Sequence, residues 1–369
     1  MGNPKMGEET ILRSSRGMKI IALSLAGGLA VAVAACSKPP ETPSGGQSAG
    51  TFKACMVTDT GGIDDHSFNA SSCAGLEEAK KQNPNIATSF TASNALSDYN
   101  PNLSNSVAKG CKYVQAVGGL MAGDTKKVAT ANPKTQFAIV DADSQGLSNI
   151  YGIQFETQQA AFLAGYLAAG YSKTGKVGVY GGMKIPPVTI FMDGFADGVK
   201  HYNTTKGKNV QVLGWNKDTQ QGLFTDDFVK QDLGKQQSDQ LASQGADVIL
   251  PVAGGAGLGT ADSAAAGKFS VIWVDADGCE TTKYCSVMLS TVVKNSKDGV
   301  KEATLKSAGA PDTLLTGGFL GTLANNGVSL APYHEFDSKI DAGLKAEINQ
   351  LKTDIISGKI KVTSPAQPK

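Results

Sequence analysis

The chain predicts an α/β protein made of two similar Rossmann-like lobes, and two observations carry that expectation. Ala-rich helical stretches alternate with short Val/Ile strands, the pattern of parallel sheets faced by helices. The chain also echoes itself once, in order. Residues 57–62 are echoed by 177–182, residues 114–119 by 249–255, and residues 137–143 by 271–277. Three echoes in register point to two related doubly wound sheets with right-handed crossovers. A length of 369 residues suffices for two cores.

Residues 1–35 read as a signal peptide that starts at Met1 or Met18. Met18-Lys19 leads into an apolar run over 20–35, shorter than the roughly 20 residues that span a bilayer. Val33-Ala34-Ala35-Cys36 resembles a lipobox, which makes Cys36 the lipid-bearing residue. An ordinary secretory signal with a coincidental Cys36 is the alternative. Residues 36–51, rich in Pro, Ser and Gly, read as a flexible tether.

The first lobe opens with a strand over 54–57 that runs into a glycine turn at Gly61-Gly62. A helix starts near Ser67, with Leu76 and Ala79 at helical spacing. Strand C-termini facing helix N-termini form the ligand crevice of an open α/β sheet. The turn carries Asp59, Asp64, Asp65, Phe68 and Asn69 into that place. Residues 158–169, apolar nearly all round, predict a buried helix opening the second lobe. The strand over 177–182 leads into a helix containing Gly194 and Gly198. An amphipathic helix over 295–308 returns to the first lobe. Ile340, Leu344, Ile348, Leu351 and Ile355 mark a last helix that packs on the second. The expected division is 52–152 plus 290–320 for the first lobe, 153–289 plus 321–362 for the second, and a tail over 363–369.

Composition excludes several classes. A net charge of +1 gives no basic surface for nucleic acid. The three histidines are isolated and no Cys-x-x-Cys occurs, so no metal and no cofactor are expected. The glycines at 254–259 lack the Lys-Ser/Thr of a phosphate loop, and no Gly-x-Ser-x-Gly joins an expected strand to an expected helix, the one such pattern (46–50) falling in the Pro/Ser/Gly-rich stretch. Export permits disulfides. Cys279 and Cys285 flank a short polar loop and are the best local pair. Cys111 has Cys55 or Cys73 as a possible partner.

Residues 57–69 (Val-Thr-Asp-Thr-Gly-Gly-Ile-Asp-Asp-His-Ser-Phe-Asn) resemble the signature of the basic membrane protein family, the PnrA-like nucleoside-binding lipoproteins of bacterial ABC importers. The resemblance continues through Gly181-Gly182-Met183 with Phe191-Met-Asp-Gly-Phe-Ala-Asp-Gly198, through residues 244–259, and through Val274-Asp-Ala-Asp277 with Ser290 and Lys294. It covers roughly Phe52 to Val362. His66 and Cys73 depart from the family, which often has Lys and an aromatic there.

The resemblance implies a type I periplasmic-binding-protein fold: two lobes, a hinge and a cleft. It implies a non-catalytic, monomeric receptor that is lipid-anchored on the extracytoplasmic face of the cell membrane and delivers purine nucleosides to an ABC permease. A nucleoside offers a flat base, best held by aromatic faces, and a diol, best met by carboxylates and lysine. By resemblance Phe68 stacks on the base, Asn69 contacts it and Asp141 reads its edge. Asp59 and Asp275 take ribose hydroxyls, Gly255 or Gly257 offers N–H groups, and Lys294 bonds the sugar from the hinge side. Phe228, with Phe224 close behind, is the second aromatic face. Ser67 and Asp277 complete the candidate set, although Asp277, like Asp143, suits a turn cap.

Two other readings stand beside this one. The same fold could hold a sugar, an autoinducer or an amino acid. Asp59, Asp64, Asp65 and Asp275 could instead act as the acids of a nucleoside hydrolase or glycosidase.

Overall fold

A computed structural model describes residues 52–369 apart from Lys268. The expected signal peptide, Cys36 and the tether lie outside the described residues.

Chain order in the first lobe is β1 (Phe52–Thr58), α1 (Phe68–Gln82), β2 (Ile86–Ala92), α2 (Tyr99–Ala108), β3 (Tyr113–Val117), α3 (Ala122–Ala131), β4 (Gln136–Val140) and β5 (Ile150–Phe155). The second lobe follows with α4 (Thr157–Tyr171), β6 (Lys176–Gly181), α5 (Pro186–Lys206), β7 (Gln211–Leu213) and the short antiparallel pair β8 (Trp215–Asn216) and β9 (Gln221–Gly222). It continues with α6 (Gln231–Ser243), β10 (Val248–Val252), α7 (Leu258–Ala265), β11 (Ser270–Asp275), α8 (Gly278–Thr281) and β12 (Met288–Lys294). Then come α9 (Ser296–Gly309), β13 (Gly318–Gly321), β14 (Val328–Leu330) and α10 (Ala342–Ile356).

The first sheet runs β13-β5-β4-β3-β1-β2, the second β14-β12-β11-β10-β6-β7. All their pairings are parallel except β12 with β14. The echoed segments take equivalent places: β1 matches β6, β3 matches β10 and β4 matches β11. The chain crosses between sheets after β5, after β12 and between β13 and β14. These crossings fall a few residues beyond the 152/153, 289/290 and 320/321 boundaries expected from the sequence, because β5 and β12 run on to Phe155 and Lys294 before leaving their sheets.

Central strands such as β3, β4 and β10 are buried along their whole length. Strands buried on both faces read as continuous apolar runs rather than alternating ones. Helix α4 is buried over nearly its whole length, as an all-round apolar helix must be. It packs on α5 at a distance that only glycine permits. A Cβ at Gly165 would overlap the carbonyl oxygen of Phe195, and one at Gly198 would overlap that of Phe162. In α10 Leu344, Ile348, Leu351 and Ile355 are buried, and Leu344 seats over Gly170 of α4. Helix α9 returns to pack on α1 and the first sheet.

Disulfides join Cys55 of β1 to Cys111 ahead of β3, and Cys279 to Cys285 across the polar loop. Cys73 is buried on α1 and belongs to neither bridge. Among the described residues no helix is long and apolar enough to cross a membrane.

Gly198→Ala should destabilise the protein. Helix propensity favours Ala by up to about 1 kcal/mol, but overpacking a close interface costs about 1–3 kcal/mol. The net effect is a lower guanidinium midpoint with an unchanged slope. An unchanged midpoint would mean that α4 and α5 can separate at little cost.

Candidate functional site

Both sheets aim the C-terminal ends of their parallel strands at one cleft, the ligand position in α/β folds. Its cavity holds about 590 Å³ of empty space, mouth included. Asp59 follows β1, Gly118 and Gly119 follow β3, and Asp141 follows β4. From the other lobe, Gly254 and Gly255 follow β10, Asp275 ends β11 and Lys294 ends β12. Phe68 and Asn69 come from the first turn of α1, and Ile185, Pro187, Val188 and Phe191 from the start of α5.

Two glycines shape this cleft. A Cβ at Gly118, whose φ of +116 also suits glycine alone, would press on the Asp59 carboxylate. A Cβ at Gly182 would run into the Phe228 ring, so the glycine admits that ring to the cavity wall.

Lys294 is the electrostatic centre. It is 3% exposed. Its Nζ lies 2.8 Å from Asp141 Oδ2 of the first lobe and 3.5 Å from Asp275 Oδ1 of the second. The same ammonium sits 4.3 Å from the centre of the Phe68 ring and 5.6 Å from that of Phe191, both cation–π distances. Burial works against the charge on Lys294, but Asp141 and Asp275 more than offset it and raise its pKa. Burial raises the pKa of Asp141, with Lys294 opposing. Asp141 and Asp275 share an unusual backbone, with φ of 67° and 66°. The left-handed region is uncommon outside glycine, though Asp tolerates it better than most residues. Each strand thus ends in a sharp turn that points a carboxylate at Lys294.

The first turn of α1 reaches the second lobe directly. Ser67 Oγ donates to Asp275 Oδ2 at 2.7 Å, and Trp273 Nε1 donates to the His66 carbonyl at 3.4 Å. Asp65 is buried and accepts the backbone N–H groups of Ser67, Asn69 and Ala70 at 3.1, 2.7 and 3.0 Å. It therefore caps the helix as an N-terminal acid should, yet it also lines the cavity. Burial pushes its pKa up to about 6 against those three hydrogen bonds. Asp59 accepts Asn69 Nδ2 at 2.9 Å. Burial, with Asp65 and Asp141 nearby, drives its pKa to about 8 despite that bond.

Asn69 Oδ1 and Asp275 Oδ1 are buried acceptors without a hydrogen-bond donor. The 3.5 Å separation of Asp275 Oδ1 from Lys294 is an ionic contact too long for a good hydrogen bond. The cleft therefore calls for a ligand rich in N–H and O–H donors.

Of the residues expected from sequence, the cavity gathers Asp59, Phe68, Asn69, Asp141, Phe228, Gly255, Asp275 and Lys294. Ser67 stands behind it, fully buried and spent on Asp275. Phe224, Gly257 and Asp277 lie elsewhere. The Phe224 ring packs edge-on against Trp215 and covers Gly181. Gly257 backs onto the Trp273 ring. Asp277 lies two residues past the strand end, caps α8 through the Cys279 N–H and pairs with His334. Sequence reasoning missed Phe191, Leu120, Ile185, Pro187 and Val188 as lining residues. Phe191 stood in a quoted motif, but an aromatic on an apolar helix carries no mark of facing a cavity.

Fold and cleft define a two-lobed solute-binding protein. The family model for ABC transporter substrate-binding proteins of the PnrA-like type matches residues 52–364. The ABC transporter nucleoside-binding protein BmpA of Lactococcus lactis is 32% identical, over 94% of this chain and 99% of its own. The CD4+ T-cell-stimulating antigen of Listeria innocua is 30% identical, over 94% and 98%. Among solved structures, an ABC transporter solute-binding protein from Aeropyrum pernix superposes with a TM-score of 0.75 at 23% identity, covering 85% of this chain and 94% of that one. The chain belongs to the PnrA-like (Bmp) family of ABC transporter substrate-binding proteins, which are extracytoplasmic binding proteins and not enzymes.

The Asp59 shift makes stability depend on pH. Its folded pKa of about 8 lies above the ordinary 3.8, so the folded protein holds this proton more tightly than the unfolded chain. That contribution is fully present below the unfolded value and is lost as pH rises through the folded one. Wild-type melting temperature should therefore fall more steeply than that of Asp59→Asn between about pH 5 and pH 8. Equal slopes would show that Asp59 is ionised throughout.

Proposed function

We propose that the protein captures purine nucleosides and presents them to an ABC permease by closing its two lobes. The observation that carries this is the composition of the cleft. Three Phe rings line a cavity that holds four carboxylates and one lysine. Flat faces suit a base. Acceptors in excess suit a ligand rich in hydroxyl and N–H donors, and they repel phosphate. An unphosphorylated nucleoside meets both demands, and a nucleotide does not. The name of the Lactococcus relative, a nucleoside-binding protein, supports the same reading.

In this reading Phe68 stacks on the base, with Phe228 or Phe191 on its other face, and Asn69 contacts the base. Asp59 and Asp275 hydrogen-bond the ribose hydroxyls, Lys294 bonds the sugar from the hinge side, and the Gly255 N–H stands at the sugar end. Lobe closure is favoured because only the closed form touches the ligand from both sides. Cys36 carries the lipid anchor, and the segment after it is the tether; the monomer is the working unit.

Calorimetry with inosine, guanosine and adenosine tests the assignment. Heat with these nucleosides and none with inosine monophosphate is the expected pattern, and silence from all three nucleosides overturns it. Phe68→Ala should lose about 1–3 kcal/mol of affinity, as stacking losses do elsewhere, with little change in melting temperature. A large melting loss at constant affinity would make Phe68 a core residue.

Asp141, with Lys294 beside it, is assigned to the purine edge as a carboxylate that accepts but cannot donate. Guanosine and inosine carry N–H at N1, whereas adenosine does not. A buried carboxylate left partly unpaired costs about 1–3 kcal/mol. Guanosine and inosine should bind more tightly than adenosine, and Asp141→Asn should narrow the gap. Equal affinities in the wild type would remove Asp141 from this role.

Cys36→Ser should release the protein from membranes into the soluble fraction, because the acyl chains supply the anchoring. Retention of that variant would exclude the anchor.

A further inference from the structure

Outside the cleft, on the second lobe, the fold brings together Asp277, Cys279 and His334, whose donor atoms all lie within 4.8 Å of one another. No sequence spacing announces this set. Asp277 Oδ1 accepts the Cys279 backbone N–H at 3.0 Å, which orients the carboxylate. Asp277 Oδ2 then faces His334 Nε2 at 2.7 Å. His334 holds a φ of 43°, a left-handed conformation uncommon for a non-glycine residue. Cys285 is the fourth member, since its sulfur is bonded to that of Cys279. None of the four lines the cleft between the lobes.

In the disulfide neither sulfur carries the thiolate charge that binds a metal. We propose that reduction of Cys279–Cys285 converts this cluster into a zinc site with Asp277, Cys279, Cys285 and His334 as its four ligands. A dithiol reductant supplies two electrons and two protons and becomes a disulfide itself. The Cys279–Cys285 bond breaks and two thiols form. Zinc binding then releases both thiol protons to solvent. Neutral His334 coordinates through Nε2, and Asp277 Oδ2 exchanges its hydrogen bond for the metal.

The geometry is compatible with this. Tetrahedral zinc places S, N and O donors roughly 3.3–3.8 Å apart. The donor atoms of Asp277, Cys279 and His334 already lie within 4.8 Å of one another, and the two bonded sulfurs move apart on reduction, so side-chain movements bring the four into that range. Two thiolates and an imidazole favour zinc over magnesium or calcium. His334 is exposed and both cysteines are partly so, which gives reductant and metal access.

The test titrates zinc into the whole protein against a chromophoric chelator, before and after treatment with a phosphine reductant removed by desalting. The expected result is one zinc per chain, bound at least about 100-fold more tightly after reduction. Cobalt in place of zinc should give a thiolate charge-transfer band and tetrahedral d–d bands. His334→Ala alters an exposed position and leaves the thiols of Cys55 and Cys111 untouched. It should cut the affinity of the reduced protein at least about tenfold, with its melting curve showing that it folds. No gain on reduction, a gain that survives His334→Ala, or a cobalt spectrum without the thiolate band would each overturn the proposal.

Discussion

One buried ammonium held between carboxylates of two lobes organises this molecule. Lys294 ends the hinge strand β12, Asp141 ends β4 of one sheet and Asp275 ends β11 of the other. Taking each of these charges out of water costs several kcal/mol, so none is tolerable alone at this depth. Together they fix where the two sheets stop relative to each other. Both aspartates take a left-handed backbone where they face the lysine. Buried ion pairs are weak contributors to net stability and better suited to specifying one arrangement. Here the specified arrangement is a cleft whose two walls share one counter-ion.

The charge balance around that lysine also shapes what the cleft accepts. Asp59 and Asp65 add two further carboxyl groups with no second cation lining the cavity among the described residues, and burial raises the pKa of both. Such a site gains from every donor brought into it and loses from every added anion. The apolar rings of Phe68, Phe191 and Phe228 line the same cavity as these carboxyl groups. Ser67 and Trp273 tie the same region across the lobes. Residues that line the cavity and residues that bridge the lobes therefore lie side by side on one helix turn and one strand end.

Much of this was legible in the sequence, for identifiable reasons. The echoed segments became β1 and β6, β3 and β10, and β4 and β11 because strands buried on both faces leave uninterrupted apolar runs that survive duplication. Asp141 and Asp275 stood out because each follows such a run. What failed to show was direction. Phe224 and Phe228 are four residues apart in an irregular segment, and only the fold reveals that one covers Trp215 while the other faces the cavity. Asp277 looks like Asp275 in sequence, but two residues beyond a sharp turn its carboxylate points back to a helix cap. Phe191 reads as core because α5 is apolar on that face, and the cleft wall is an extension of the core. Asp65 both caps its helix and meets Gly255 of the opposite lobe, a contact that local sequence does not encode.

Native mass spectrometry of the protein offered one pool of competing ligands tests the central claim most directly. The pool would contain inosine, guanosine, their monophosphates, free ribose and common hexoses at equal concentration. The account predicts that the retained ligand is an unphosphorylated purine nucleoside, one per chain. Retention of a nucleotide or a sugar in its place, or of nothing from the pool, would contradict it.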